Sequence, residues 1–136
     1  MKINQNFWNS YYLSKKSIKI PKPSNFGVFF YKKYLKKNNK ILELGCGNGR
    51  DTFLFAKKTK SITALDQSKS IIKINLEISK KLRKKINFIN DDLKKIKDKK
   101  KIRFDIIYAR FFLHTINDKQ KNNLLKIINF FKKKKK

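Results

Sequence analysis

Residues 40–51 read KILELGCGNGRD. An apolar run rises to a carboxylate at Glu43, three glycines at alternate positions (Gly45, Gly47, Gly49) bend the chain, and Arg50 and Asp51 follow. In a chain crowded with lysine, residues 41–51 contain none. Glycine supplies left-handed backbone at no steric cost and lets another group approach closely, so the spacing of the three matters more than their number. A short buried strand that ends in such a bend and feeds a helix presents backbone N–H groups and a helix N-terminus. It does so at the carboxyl edge of a sheet, where open α/β sheets bind ligands.

Outward from this turn, strands alternate with helices. KILEL (40–44) predicts a first buried strand, residues 52–58 a helix, and SITALD (61–66) a second strand. Ser68 can cap a long helix whose apolar stripe is Ile71, Ile74, Ile78 and Leu82. INFIN (86–90) and FDIIYA (104–109) predict a third and a fourth strand. Asn117, with Gln120 three residues later, forms a capping box for a helix carrying Leu124, Leu125, Ile127, Ile128 and Phe131. Upstream, IPKP (20–23) breaks the chain. Ser24 can then cap a helix on which Phe26, Phe29, Phe30 and Tyr34 recur, ending near Asn38 and Asn39. Before it, FWNSYY (7–12) is an aromatic cluster with no regular pattern. The alternation implies parallel βαβ units covered by helices on both faces.

Composition narrows the class. The chain has 136 residues, one domain's worth, and 40% hydrophobic residues provide a core of modest size. No apolar stretch approaches the ~18 residues of a membrane span, and no secretory leader pattern opens the chain. The single cysteine, Cys46, excludes an internal disulfide framework and points to a reducing, cytoplasmic setting. Basic side chains number 37 against 9 acidic ones, a formal net charge of +28. All but four (Arg50, Arg83, Arg103, Arg110) are lysine. A phosphate-gripping protein draws more on arginine, whose planar fork binds bidentately. Lysine, asparagine and isoleucine have codons rich in A and T, so genomic bias explains this excess better than nucleic-acid recognition does. Non-specific, salt-sensitive attachment to polyanions is the expected consequence.

The glycine spacing separates two cofactor classes. Dinucleotide folds use G-x-G-x-x-G to bring a pyrophosphate to a helix N-terminus, but here Gly49 comes one residue too early. ELGCGNG (43–49) instead resembles the first motif of the class I S-adenosylmethionine-dependent methyltransferases. Asp66 ends the second strand 17 residues after Gly49, where a carboxylate can accept ribose hydroxyls. INFINDDL (86–93) is similar to the family's third-strand segment, and FDIIYARFFLHTI (104–116) to its fourth strand and the segment beyond. Each acid alone reads as a cap or turn residue; the four elements together, in order, reverse that.

The resemblance implies S-adenosyl-L-methionine as cofactor and a Rossmann-like fold. It implies a cofactor site of Glu43, Gly45, Cys46, Gly47, Gly49, Arg50, Asp66 and Gln67. Asp92 would lie beside the adenine amino group, with Asp91 the close alternative and Leu93 against the ring. Ala109 and Arg110 would lie under the methionine end, with Phe111, Phe112 and His114 bordering the acceptor. Trp8, Tyr11 and Tyr12 look like a lid over the cofactor, or equally an apolar patch on the sheet edge. GNGRD (47–51) looks like the variant of thiopurine- and tellurite-resistance-type methyltransferases. Arg50 near the cofactor's carboxylate and an Arg50–Asp51 ion pair are both consistent with it. His114, the only histidine, could take a hydroxyl proton near neutral pH; a residue at a helix start, satisfied by backbone, is the favoured reading. No metal site is expected.

The segment after the fourth strand also excludes chemistry. It reads Ala109-Arg110-Phe111-Phe112, not the Asn/Asp-Pro-Pro-aromatic motif of amino-directed nucleic-acid methyltransferases. Cys46 sits in the glycine turn rather than where a cytosine-carbon enzyme needs its nucleophile. A small-molecule or saccharide acceptor is therefore expected, with an RNA methyltransferase or a non-catalytic cofactor-binding fragment as alternatives. The expected organisation is an N-terminal helical or lid segment (1–39), a partial cofactor domain (40–131) and a lysine tail (132–136). The family sheet has seven strands ordered 3-2-1-4-5-7-6, of which only four are legible here. A C-terminally truncated fold lacking the last strands is thus expected, with an apolar fourth strand exposed at the edge and prone to self-association.

Overall fold

A computed structural model describes residues 20–91, 93, 103–110 and 116–133, with side chains through 130. The elements are α1 (Asn25–Lys33), β1 (Lys40–Leu44), α2 (Arg50–Phe55), β2 (Ser61–Asp66), α3 (Lys69–Lys81), β3 (Asn87–Asn90), β4 (Ile106–Ala109) and α4 (Asp118–Lys133). Among the described residues the sheet has four strands in the order β3-β2-β1-β4, all parallel. The chain steps outward from β1 to β2 and β3, then returns to place β4 on the other side of β1. That reversal is the topological switch point, and ligands of open α/β sheets bind beside it at the carboxyl ends of the strands.

Alternation along the strands builds two cores. Ile41, Ile62, Ala64, Phe88 and Tyr108 face one side, with Leu35, Phe53, Phe55, Ile71, Ile72 and Ile78 from the α1, α2 and α3 region packed over them. Leu42, Leu44 and Leu65 face the other side, against Leu93, Phe104, Ile116 and Leu124 and Ile127 of α4. β1 is buried from Ile41 to Leu44, as a strand covered on both faces is, with Glu43 its one buried polar side chain.

Local signals set most of the boundaries. Ser24 caps α1 by accepting from the Gly27 N–H at 2.9 Å, and Ser68 caps α3 by accepting from Ile71 N–H at 3.3 Å. Asn117 and Gln120 form the reciprocal box at α4, at 2.9 and 3.0 Å. β1 and β2 have the bounds expected from sequence, and four other elements shift; α1 ends at Lys33, with Tyr34 as its C-cap, short of Asn38 and Asn39. α2 begins at Arg50, because left-handed Gly49 is its N-cap, and ends at Phe55. Lys57, Lys58 and Thr59 then close a turn onto Leu54 and Phe55 instead of continuing the helix. β3 begins at Asn87, since Phe88 N–H turns back onto the Ile86 carbonyl. β4 begins at Ile106: Asp105 N–H bonds Lys40 O while its carboxylate accepts from Lys40 N–H, an end clasp that precedes the ladder.

Two expected stripes also differ. On α1, Phe26, Phe29 and Tyr34 are 51%, 48% and 53% exposed, and Gly27 is the buried residue. The helix docks through Gly27, where a Cβ would collide with the Asp51 carboxylate. Phe30 therefore packs inward, 5.3 Å between ring centres from both Phe55 and Tyr108. On α3, Leu82 is exposed, while Ile72 and Asn75 join Ile71 and Ile78 on the buried face. No helix among the described residues is long and apolar enough to cross a membrane.

Candidate functional site

The glycine turn leaves β1 at the switch point. Gly45, Gly47 and Gly49 have φ of 68°, 54° and 76°, the left-handed region that favours glycine. A Cβ on Gly49 would also lie 2.6 Å from the Phe53 ring. Cys46 is buried, with its N–H on Leu65 O at 2.9 Å, and burial pushes its thiol well above the ordinary range. Its role in the turn is apolar packing.

Asp66, at the carboxyl end of β2, closes the turn from the other side. One carboxylate oxygen accepts the Gly47 N–H and the other the Ser68 N–H, both at 2.9 Å. Burial raises its pKa while these two N–H groups pull it down. A carboxylate offers about four acceptor positions, so two bonds leave capacity for ligand hydroxyls. Asp91 N–H bonds the Asp66 carbonyl at 3.1 Å, which brings the end of β3 beside the same acid. Asp91 and Leu93 are both buried there, Leu93 with a φ of 79°. Gln67 is half-buried between Asp66 and the Ser68 cap.

Glu43 lies beneath the turn. It is 4% exposed and accepts the Thr52 hydroxyl at 2.5 Å, and burial pushes its pKa up to about 8. Beside it, Asp51 is 2% exposed and accepts Ser24 N–H at 2.8 Å, Ser24 Oγ–H at 2.7 Å and Tyr108 O–H at 2.7 Å. Arg110 Nε is 3.4 Å from the same carboxylate. The ion pair of Asp51 is thus made by Arg110, not by the adjacent Arg50, whose Nε donates to Lys22 O at 2.9 Å. Neighbours in sequence at a helix start point apart, whereas Arg110, just after β4, reaches Asp51 on α2. Burial, and then its bond to Asp51, raises the Tyr108 phenol pKa. Ala109 is paired with Leu44 across β1 and β4, at the lip of the switch point.

The structure therefore gathers Gly45, Cys46, Gly47, Gly49, Asp66, Gln67, Asp91 and Leu93 at one edge. Glu43 and Arg110 sit toward Asp51, and Arg50 turns to the segment before α1. Asp92, Phe111, Phe112, His114, Trp8, Tyr11 and Tyr12 lie outside the described residues. Sequence reading missed Ser24 and Tyr108 as partners of Asp51, Thr52 as the partner of Glu43, and Asn75, whose amide nitrogen donates to Gly47 O at 2.8 Å. Asn75 carried a signal, a polar residue inside the apolar face of α3; the others did not.

Comparison with known proteins gives the family. A methyltransferase-domain family matches residues 41–133, and the chain belongs to it. The resemblance to class I S-adenosylmethionine-dependent methyltransferases is thereby borne out, as is the Rossmann-like α/β fold. Phosphoethanolamine N-methyltransferase 1 of Triticum aestivum is 35% identical over 97 residues, 68% of this chain and 19% of that protein. The chain thus spans about a fifth of that relative's length. A structure from work on the conversion of a disulfide bond into a thioacetal group during echinomycin biosynthesis superposes with a TM-score of 0.74 at 19% identity. It covers 93% of this chain and 55% of that one. Magnesium protoporphyrin IX methyltransferase of Synechocystis PCC 6803, solved with bound SAM, gives 0.61 at 12% identity, over 89% and 66% of the two chains. At these identities the structural likeness speaks for the fold.

Proposed function

We propose that this chain binds S-adenosyl-L-methionine at the carboxyl edge of β1 and β2 and serves methyl transfer to a small-molecule acceptor. One observation carries the reading: the glycine turn after β1 is clasped to a carboxylate at the end of β2, at the switch point of a parallel sheet. The bare backbone at Gly45, Gly47 and Gly49 admits a ribose and an amino-acid tail, and Asp66 keeps acceptor capacity for two ribose hydroxyls. Asp91 or Asp92 with Leu93 flanks the adenine. Ala109 and Arg110 border the methionine end, with Arg110 held by Asp51. Cys46 and Gln67 shape the turn and the end of β2, and Arg50, bonded to Lys22 O, stands beside the turn.

When bound, the sulfonium supplies an already activated methyl carbon for in-line displacement. The protein's part is alignment and exclusion of water. Phe111 and Phe112 would form the acceptor wall and Trp8, Tyr11 and Tyr12 the cover; His114 is only a candidate to take a proton, and only from a hydroxyl acceptor. The Triticum aestivum relative, named for phosphoethanolamine, directs the acceptor toward a small polar molecule; a saccharide hydroxyl is the second candidate. Calorimetry with S-adenosylhomocysteine and with NADH tests the cofactor. Heat from S-adenosylhomocysteine alone supports the reading, and heat from NADH alone rejects it. Methyl transfer from S-adenosylmethionine to phosphoethanolamine and to a panel of sugars then sorts the acceptors.

A further inference from the structure

We propose that Asn75 is a positioning residue for the cofactor turn, fixing the backbone on either side of Gly47. This rests on the cofactor reading above. Asn75 lies on the packed face of α3 between Ile71, Ile72 and Ile78, and is 0% exposed. Its amide nitrogen donates to Gly47 O at 2.8 Å, and only a donor can face a carbonyl, which settles the orientation of the amide. Its amide oxygen is buried with no hydrogen-bond partner among the described residues. Such an orphan acceptor costs stability, and an apolar residue would suit this helix face better.

The bond that this residue does make explains its presence. Gly47 N–H goes to Asp66 at 2.9 Å and Gly47 O receives Asn75 at 2.8 Å. These groups belong to the two peptides flanking the Gly47 α-carbon, so together the bonds fix both of its soft dihedrals. Glycine left unclamped loses the most conformational freedom on ordering. The Asn75 oxygen also lies 3.5 Å from where a Gly49 Cβ would stand, so one side chain lines two of the three glycines. A turn held this way meets its ligand already ordered, which raises affinity by lowering the ordering cost of binding.

The test compares wild type with Asn75→Ala and Asn75→Asp. Alanine removes the donor and the orphan together; aspartate keeps the shape and replaces the donor with an acceptor. For Asn75→Ala the melting temperature should stay within a few degrees of wild type. Its Kd for S-adenosylhomocysteine should rise about tenfold, and the Gly47 amide should exchange hydrogen about tenfold faster without ligand. Asn75→Asp should weaken binding at least as much; if its buried charge prevents folding, Asn75→Ala decides alone. Unchanged affinity in folded Asn75→Ala overturns the proposal, as does unchanged Gly47 exchange. If wild type itself fails to bind, the cofactor reading falls, and the exchange measurement still judges the clamp.

Discussion

Replacing Asp51 with alanine should undock α1 from the sheet. The carboxylate takes three hydrogen bonds of 2.7–2.8 Å, two from Ser24 and one from Tyr108, and pairs with Arg110. A hydrogen bond to a charged group is worth about 1.5–3 kcal/mol net. Three sharing one acceptor do not add, because Ser24 and Tyr108 relax together when it goes. Breaking a buried charged pair by deleting one partner costs about 3–5 kcal/mol, and Arg110, being half-buried, recovers part of its hydration. The expected loss is therefore about 3–4 kcal/mol, a large fraction of a domain's typical ~5–15 kcal/mol. Asp51→Asn keeps the shape and one acceptor and should lose roughly half as much. Gly27→Ala should mimic it from the other side, by forcing a Cβ against the carboxylate. Urea unfolding gives the free energies, and hydrogen exchange of the α1 amides shows whether that helix opens first. A loss below about 1 kcal/mol for Asp51→Ala, with α1 protection unchanged, would refute the claim that Asp51 docks the helix.

Other consequences follow from the same geometry. Gly49→Ala combines a left-handed φ with overpacking against Phe53 and should cost about 2–4 kcal/mol, read as a shift in the urea midpoint. Glu43 has an ordinary pKa of 4.5 and a folded pKa of about 8, so the folded chain keeps a proton that the unfolded chain releases. Stability from this group is full below pH 4.5 and declines as pH rises toward about 8; Glu43→Gln should flatten that slope, measured by urea titrations across the range. Nucleic-acid binding driven by the lysine excess should be sequence-indifferent and largely lost at moderate salt; a filter-binding assay that retained one RNA selectively at physiological salt would favour an RNA acceptor instead.

What the sequence made legible was local. Ser24, Ser68 and the Asn117–Gln120 box are decided within three residues of where they act, so they could be read directly. β1 and β2 are buried on both faces and contrast sharply with their flanks. β3 and β4 start late, because the bonds that end them reach Lys40 from Asp105 or fold Phe88 back on Ile86, and no periodicity encodes that. α1 misled for the same reason. Its aromatic spacing is helical, but Gly27 and a carboxylate 24 residues away in sequence choose the docked face. At the site, Asp66 was legible because its place follows from the strand end. The partners of Asp51 were not, since Tyr108 and Arg110 arrive from β4 and its end, and Ser24 from the start of α1.

The central claim is that Asp66 and the glycine turn form an S-adenosylmethionine site, and calorimetry of S-adenosylhomocysteine against wild type and Asp66→Ala tests it most directly. Wild type should bind, and the variant should bind more weakly by about 1.5–3 kcal/mol, the worth of hydrogen bonds to a charged group. NADH should give no heat. Equal affinity of wild type and Asp66→Ala, or binding of NADH with S-adenosylhomocysteine silent, would contradict it.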